Sequence, residues 1–220
     1  MNDFSTYKFR VSSLPALMTN SRVKSDPLSE TAKEMIRKCY IQEVYSREDF
    51  IQTAPMTKGI MVESDILDLL QTVTKETYFK NKTRFENDYV RGTPDISAAK
   101  DRVIDTKASW TIWTFAAVTE DKAKKDYFWQ IAGYAELLKK IKGELVFGLV
   151  NTPEELILKE LYKANADEAR EEQIRKNHTY DDIAPEKKLK RYTFDFTPED
   201  FQAIKERVGA ARVYMGGLDL

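Results

Sequence analysis

Two short segments carry charged residues at a spacing that suits metal-assisted chemistry. The first is Gly92-Thr93-Pro94-Asp95, and the second is Val103-Ile104-Asp105-Thr106-Lys107. Side chains alternate along a β-strand, so Asp105 and Lys107 project to the same side, and Asp95 reaches that side from one strand back across a short turn. Two carboxylates at a strand edge form a hard-oxygen site suited to Mg²⁺ or Mn²⁺. The neighbouring ammonium can orient a water molecule or help to deprotonate it.

The acidic-x-Lys triplet is weak evidence by itself, because the chain has 36 acidic and 35 basic residues. The same triplet occurs at Glu120-Asp121-Lys122 and at Glu186-Lys187-Lys188. Neither of these lies in a β-branched strand or follows a Pro-Asp pair at the spacing that precedes Asp105. The alternative interpretation is a pair of solvated charges that flank a hairpin.

The predicted helix from about Lys58 to Val73 has a carboxylate where its pattern calls for an apolar residue. Ile60, Leu67 and Leu70 recur at helical spacing, and Glu63 falls on the same stripe. A charge that points at a core needs a partner, and a metal ion would supply one. Alternatively, the helix is rotated slightly and Glu63 lies at the rim of the core.

A third predicted helix, from about Thr119 to Lys140, places Gln130 and Tyr134 one turn apart. Both side chains have polar tips that can hold a water molecule or a DNA phosphate. The alternative is a half-buried tyrosine beside an amide with no special role.

The remaining elements follow from hydrophobic periodicity and from turn residues. Before the third helix, the sequence predicts a first amphipathic helix entered at Ser25-Asp26-Pro27 and antiparallel strands at 84–90, 95–98 and 102–110. Gly143 is predicted to end the third helix, and a strand at 145–150, buried on both faces, follows it. Residues 153–190 are predicted to form a helix with a surface excursion. An edge strand at 192–196 and a last helix from Thr197-Pro198 to about Val213 complete the chain. The order α–βββ–α–β indicates an α/β (α+β) fold.

Composition limits the class of protein. The 220 residues, 42% of them hydrophobic, suffice for a single domain over 1–220. We expect a core at about 58–151, an N-terminal helical segment at 1–57 and a C-terminal extension at 152–220.

The single cysteine, Cys39, excludes an internal disulfide and a cluster of four cysteines, and it falls on the apolar stripe of the first helix. No membrane span or secretory signal is predicted, so we expect a cytoplasmic protein.

The formal net charge of -1 does not by itself favour nucleic-acid binding. Acidic residues crowd the last third of the chain, however, whereas the segment from Lys122 to Lys142 is rich in lysine. A local basic patch can bind phosphate while the total charge stays near zero.

The motifs, taken in order, resemble those of the PD-(D/E)XK nuclease superfamily, in particular lambda exonuclease and the RecB-type nucleases of phage recombination. They are the helix glutamate of Gly59-x-x-x-Glu63, the Gly-x-Pro-Asp strand, Asp-x-Lys, and Gln-x-x-x-Tyr. The resemblance spans about Lys58 to Tyr134 and implies a central mixed sheet flanked by helices.

The resemblance also implies the roles of the site residues. Glu63, Asp95, Asp105 and the carbonyl of Thr106 would hold Mg²⁺, with Mn²⁺ as a substitute. Lys107 would activate the water, and Gln130 and Tyr134 would support the site. Lambda-type enzymes more often carry glutamate at the position of Asp105, whereas RecB-type enzymes carry aspartate, so this departure concerns the subfamily rather than the chemistry.

A short N-terminal match adds two residues. The segment Phe9–Ser13 is similar to the one that precedes the first helix of lambda-type enzymes, which implies that Arg10 and Ser13 contact a terminal 5′-phosphate.

The function implied is a metal-dependent exonuclease that degrades linear duplex DNA from 5′ to 3′. The implied partners are DNA and a phage single-strand annealing protein, and the implied assembly is a trimeric ring in the host cytoplasm. Three alternatives stay open: a structure-specific or nicking endonuclease, a DNA-binding or assembly protein without hydrolysis, and an unrelated α/β protein with a chance match.

Three further residues are expected to have ordinary structural roles. His178 lies in a charged segment without a metal-ligand partner at suitable spacing, so we expect it at the surface. Trp110 and Trp113 follow the candidate catalytic strand, and packing under the third helix is favoured over stacking on a base.

Overall fold

The computed structural model describes residues 3–49 and 51–219. Its helices are α1 (Leu14–Leu17), α2 (Glu30–Tyr45), α3 (Ala54–Met61), α4 (Glu63–Thr74), α5 (Ile112–Ala116), α6 (Glu120–Leu137), α7 (Glu154–Ala164), α8 (Glu168–His178) and α9 (Pro198–Gly216). Its strands are β1 (Phe9–Arg10), β2 (Phe85–Glu86), β3 (Val90–Gly92), β4 (Val103–Ala108), β5 (Lys142–Gly148) and β6 (Leu189–Asp195). The mixed α/β class predicted from the sequence is confirmed.

The described strands form two sheets, each of three strands, in the orders β1-β3-β2 and β4-β5-β6. The strand β5 lies in the middle of the second sheet, parallel to β4 and antiparallel to β6. Its residues from Gly143 onward are buried, as expected for a strand covered on both faces. The prediction of three antiparallel strands before the third helix is wrong in part, because β2 and β3 form an antiparallel pair in one sheet while β4 lies in the other. Residues 95–98 form no strand and pair with β4 in an isolated antiparallel bridge between Ile96 and Ile104.

The helix α6 lies against this sheet and begins where the sequence predicted. The Thr119 side chain caps it by accepting a hydrogen bond from the backbone of Lys122. The predicted stop at Gly143 is wrong, since the helix ends at Leu137 and Lys139 turns the chain with a φ of 54°. Gly143 lies within β5, where a Cβ atom would come 2.2 Å from Ile131 Cγ2. The glycine therefore allows helix and strand to pack closely.

The predicted helix 58–73 is two helices, because the backbone at Val62 leaves helical geometry with φ -107° and ψ 15°. The buried apolar side chains are Val62, Ile66, Leu69 and Leu70, whereas Ile60 is 71% exposed. The apolar stripe inferred from Ile60 is therefore wrong. The break turns the first residue of α4 away from the position that one continuous helix would give it.

The first long helix, α2, starts later than predicted. Its cap is Ser29, whose hydroxyl accepts a hydrogen bond of 3.0 Å from the amide of Ala32. Asp26, expected at the helix entry, instead accepts from the amide of Leu28 and pairs with Lys33 at 2.6 Å. Asp26 therefore belongs to a turn before the helix, because the serine is the residue in position to satisfy the free amides of the first turn.

The C-terminal elements agree with their patterns. The edge strand β6 and the helix α9 are present, and Thr197 with Asp200 forms a capping box at the start of α9. Helix α9 packs on α2 and on α1, and Arg207 donates hydrogen bonds to the carbonyls of Leu17 (3.2 Å) and Thr19 (2.7 Å). The two ends of the chain thus share one buried apolar cluster. Among the described residues, no helix combines the length and apolarity required to cross a membrane.

The close contact at Gly143 predicts the effect of a larger residue there. Gly143→Val should lower the free energy of unfolding by about 1–3 kcal/mol, because the side chain of Ile131 occupies the space that the new atoms need. Urea unfolding measures the change. Gly209→Ala is the control, since a Cβ atom there meets nothing within 4 Å and alanine is the better helix former. Equal stability of Gly143→Val and wild type would contradict the packing described.

Candidate active site

The strand β4 presents the centre of the site. Asp105 is 2% exposed, and its Oδ2 atom accepts a hydrogen bond of 2.5 Å from Lys107 Nζ. The two side chains therefore project to the same side, as strand alternation predicted. Burial raises the pKa of Asp105 to about 6, opposed by Lys107 and reinforced by the negative charges of Asp95 and Glu63. The three predicted carboxylates thus lie within electrostatic reach of one another.

The ammonium of Lys107 is held in its charged form. Burial alone would lower the pKa of Lys107, but the charge and the hydrogen bond of Asp105 outweigh burial and raise that pKa. Lys107 also lies over the ring of Tyr127, at 5.6 Å from its centroid. At neutral pH this residue is a donor of hydrogen bonds and not a proton acceptor.

Asp95 is tied directly to β4. Its Oδ2 atom accepts hydrogen bonds from the amide of Thr106, at 2.6 Å, and from the hydroxyl of Thr106, at 2.8 Å. The two backbone bonds between Ile96 and Ile104 fix the segment from the other side. Sequence reasoning assigned a role only to the carbonyl of Thr106, whereas its amide and hydroxyl position Asp95.

Glu63 lies at the start of α4, at the rim rather than in the core. Its side chain is 26% exposed and accepts a hydrogen bond of 2.6 Å from Lys80 Nζ. Of the two alternatives open from the sequence, the structure therefore shows the rim position. Glu63, Lys80, Asp95 and Thr106 line one small cavity, so Glu63 still faces the rest of the site.

Helix α6 brings the two predicted supporting residues to neighbouring positions beside Asp105. Gln130 is buried, and its side-chain amide donates to Asp105 Oδ2 at 3.4 Å. Tyr134 is also buried, and burial raises the pKa of its hydroxyl, with the charge of Asp105 adding to the rise. Its ring lies against Gly92, where a Cβ atom would come within 2.8 Å of the ring. Gln130 therefore contacts the acidic centre, while Tyr134 lines the neighbouring cavity.

That neighbouring cavity, of about 320 Å³, is lined by arginines. Arg10, Arg84 and Arg91 share its wall with Ser12 and with Tyr134 and three other residues. Arg10 thus lies beside two other arginines at this cavity, and its contact with a 5′-phosphate stays a prediction. The expected serine differs, since Ser13 lines a second cavity that Arg10 also borders and Ser12 lines this one.

Sequence reasoning missed Arg84 and Arg91. Arg84 directly precedes β2 and Arg91 lies in β3, next to Gly92-Thr93-Pro94-Asp95, and this position beside a candidate motif was the available signal. Sequence reasoning also missed Lys140, whose Nζ donates to the carbonyls of Ser97, Ala99 and Arg102 at 2.8, 2.5 and 2.9 Å. This lysine ties down the turn that joins Asp95 to β4.

The expectation of a surface position for His178 is wrong. It is 1% exposed, with Nε2 at 3.1 Å from Glu160 and Nδ1 at 2.9 Å from the hydroxyl of Thr152. Its ring packs edge-on against Trp110, with centroids 4.8 Å apart. His178 is the last residue of α8, and the packing of α8 on α7 buries it, which the charged composition of this region does not reveal.

The two tryptophans have different surroundings. Trp110 packs on His178, and its carbonyl accepts a hydrogen bond of 3.1 Å from the fully buried Lys58. Trp113 is 71% exposed, so the packing predicted for it is wrong. Cys39 is partly buried and packs on the main apolar cluster, as expected.

The donor set suits a divalent cation by its chemistry. Glu63, Asp95 and Asp105 supply carboxylates and Thr106 supplies a carbonyl, all of them hard oxygen ligands. Lys80 and Lys107 each hold one of these carboxylates. In the part of the chain that the structure describes, no three acidic, histidine or cysteine side chains stand close enough together to form a complete ligand group.

Known proteins of similar structure share the fold of this chain. A phage related exonuclease from Haemophilus somnus 129PT has a TM-score of 0.81 and 27% sequence identity, covering 96% of this chain and 94% of its own. An alkaline exonuclease from Laribacter hongkongensis, LHK-Exo, has a TM-score of 0.67 and 12% identity, covering 96% of this chain and 89% of its own. A second structure of LHK-Exo, in complex with dAMP, gives the same values.

No protein-family model matches the chain, and no curated protein matches it. The structural neighbours, being exonucleases, support a nuclease function. The resemblance to PD-(D/E)XK nucleases of the lambda exonuclease type, predicted from the sequence, is confirmed, and the chain has the mixed α/β fold of these exonucleases.

Proposed function

We propose that this protein is a metal-dependent deoxyribonuclease that degrades linear duplex DNA from its ends, in the 5′ to 3′ direction. The observation that carries the proposal is the buried Asp105 of β4. It is held by Lys107 and Gln130, beside an Asp95 fixed to the same strand. This is a catalytic arrangement in a fold shared with exonucleases. A buried carboxylate with a raised pKa and a charged partner is a frequent feature of catalytic sites, which supports the proposal.

In this proposal Glu63, Asp95, Asp105 and the carbonyl of Thr106 hold Mg²⁺ or Mn²⁺. When bound, the ion would neutralise charge on the phosphate and lower the pKa of a water molecule. Burial raises the pKa of Asp105 and the charges of Asp95 and Glu63 add to the rise, which supports the assignment, because a bound cation would favour the ionised carboxylate.

The residues of the chain have separate tasks. Lys107 stays protonated, so it orients the attacking water and stabilises negative charge that develops on the phosphate oxygens. Gln130 fixes one oxygen of Asp105, and Thr106 fixes one oxygen of Asp95. Because these positions are set before substrate binds, little reorganisation is needed during hydrolysis.

The arginine-lined cavity would receive the terminal 5′-phosphate. Guanidinium groups bind phosphate by paired hydrogen bonds, and Arg10, Arg84 and Arg91 border the same space. Tyr134 connects this cavity to the acidic centre, so a bound chain end would present its first phosphodiester to Asp105 and Lys107. The alkaline exonuclease that was crystallised with dAMP is a neighbour that binds a nucleotide.

The resemblance extends the proposal to assembly and location. We propose a homotrimeric ring that passes DNA through its centre and works beside a phage single-strand annealing protein in the host cytoplasm. A net charge of -1 is compatible with a ring whose basic groups face the lumen.

Digestion of linear duplex DNA with a labelled 5′-phosphate, beside a covalently closed circle, tests the activity. We expect loss of the linear DNA in Mg²⁺, none in EDTA, and an intact circle. Cutting of both substrates would favour the endonuclease alternative, and cutting of neither would favour a DNA-binding or assembly role.

Asp105→Asn and Lys107→Met should each lower the rate of digestion of linear DNA at least about 100-fold. Lys122→Met, in the chance triplet at the start of α6, should keep the wild-type rate.

The arginine cavity predicts a preference for phosphorylated ends. Wild type should degrade 5′-phosphorylated duplex more efficiently than 5′-hydroxyl duplex, and Arg84→Gln should reduce this preference by about tenfold, because a charged hydrogen bond to phosphate contributes about 1.5–3 kcal/mol. The ratio of kcat/KM for the two substrates measures it. Lys82→Gln, an exposed charge on the same loop, is the control. An unchanged ratio in Arg84→Gln would remove Arg84 from the phosphate site.

The buried carboxyl of Asp105 predicts a pH dependence of stability in EDTA. Its pKa rises from 3.8 in the unfolded chain to about 6 in the fold, so the stability that the neutral form provides is present below pH 3.8 and lost as the pH rises through 6. Asp105→Asn cannot ionise. Between about pH 4 and pH 8, the free energy of unfolding of Asp105→Asn should therefore rise by about 1–3 kcal/mol relative to that of wild type. Urea unfolding at both pH values checks this, and a pH-independent difference would contradict it.

A further inference from the structure

Lys80 is a charged residue at the candidate site that the motif series does not contain. It lies in the loop between α4 and β2, and its Nζ atom donates to Glu63 Oε2 at 2.6 Å. It lines the same small cavity as Glu63, Asp95 and Thr106. The lysine therefore occupies the approach to an oxygen that the proposed function assigns to a divalent cation.

The backbone on both sides of Lys80 is anchored. Before it, the amide of Tyr78 donates to the side chain of Gln71 on α4 at 3.0 Å. After it, the amide of Asn81 donates to the carbonyl of Asp95 at 2.7 Å, and the Asn81 side chain donates to the carbonyl of Pro94 at 2.9 Å. The loop is thus fastened to the segments that carry Glu63 and Asp95. These anchors hold the backbone of Lys80 beside Glu63.

The charges of the site are distributed in a regular way. Lys107 pairs with Asp105 and Lys80 pairs with Glu63, whereas Asp95 accepts its hydrogen bonds from the uncharged donors of Thr106. These three carboxylates and two ammonium groups carry a formal charge of -1 together. Without Lys80 the same cluster would carry -2. Its attraction for a divalent cation would therefore increase.

We propose that Lys80 is a built-in counter-cation that competes with the divalent cation for Glu63 and so sets the affinity of the site for that ion. The inference rests on the metal site of the proposed function. The ammonium and the ion require the same carboxylate oxygen, so binding of one displaces the other. The Lys80 side chain is 46% exposed, and it can therefore leave Glu63 for water at small cost.

Titration of Mn²⁺ into the DNA-free protein tests this directly, with the free ion followed by electron paramagnetic resonance and the heat followed by calorimetry. Lys80→Met should bind Mn²⁺ about three to ten times more tightly than wild type, as expected for loss of a partly exposed competing charge. Lys80→Arg keeps the charge and should stay near the wild-type affinity. Lys82→Met removes an exposed charge from the same loop and should change the affinity less than Lys80→Met.

Each outcome separates this inference from the proposed function. If Lys80→Met binds Mn²⁺ as tightly as wild type or more weakly, and its circular dichroism spectrum is unchanged, Lys80 does not compete with the ion. The proposed metal site is not contradicted by that result. Asp105→Asn should abolish the binding seen in wild type. If Asp105→Asn still binds Mn²⁺, or if neither wild type nor Lys80→Met binds it, the proposed metal site is wrong. The proposed role of Lys80 is then also wrong, because it depends on that site.

Discussion

Burial of the Asp105 carboxylate in the middle of β4 is the constraint on which the site depends. A charge that is 2% exposed is unfavourable unless other groups compensate it. Lys107 comes from the same strand, but Gln130 has to be delivered by α6, so the packing of α6 on β4 is part of the charge compensation. The parallel pairing of β4 with β5, which α6 connects, is the arrangement that makes this delivery possible. The packing of α6 on β4 therefore both forms part of the fold and compensates the buried charge of Asp105.

The second carboxylate is positioned by different means. The amide and hydroxyl of Thr106 hold Asp95 against β4, and no lysine among the described residues forms a direct ion pair with it. The three carbonyl contacts of Lys140 stabilise the turn between Asp95 and β4 from outside. Neutral donors orient the carboxylate without cancelling its charge, which leaves Asp95 available to a cation. Lys80 and Lys107 offset the charges of the other two carboxylates, so the site combines preorganised geometry with a moderate net charge.

The cavity beside the acidic centre is built from distant parts of the chain. Arg10 comes from the N-terminal segment and Arg91 from β3, and β1 pairs with β3 in parallel to bring them together. Helix α9 holds the N-terminal segment in place, since Arg212 donates to the carbonyl of Tyr7 at 2.9 Å. The N-terminal segment (1–57) and the C-terminal extension (152–220) thus contribute to the shape of the site as well as to the core.

The sequence by itself determined the local chemistry of this protein. Strand alternation placed Asp105 and Lys107 on one side, the i, i+4 spacing placed Gln130 and Tyr134 on one helix, and Thr197-Pro198 marked the last helix, because these relations depend only on neighbouring residues. Tertiary structure alone decided the relations between distant segments. The helix breaks at Val62 and Glu63 lies at the rim, and the packing of α8 on α7 buries His178. Arg84 and Arg91 join Arg10 around one cavity, and the loop carrying Lys80 is fastened beside Glu63. Periodicity reports which face of an element is apolar. It does not report where an element breaks, or which charge from another part of the chain meets it there, because those outcomes are set by packing of the whole molecule.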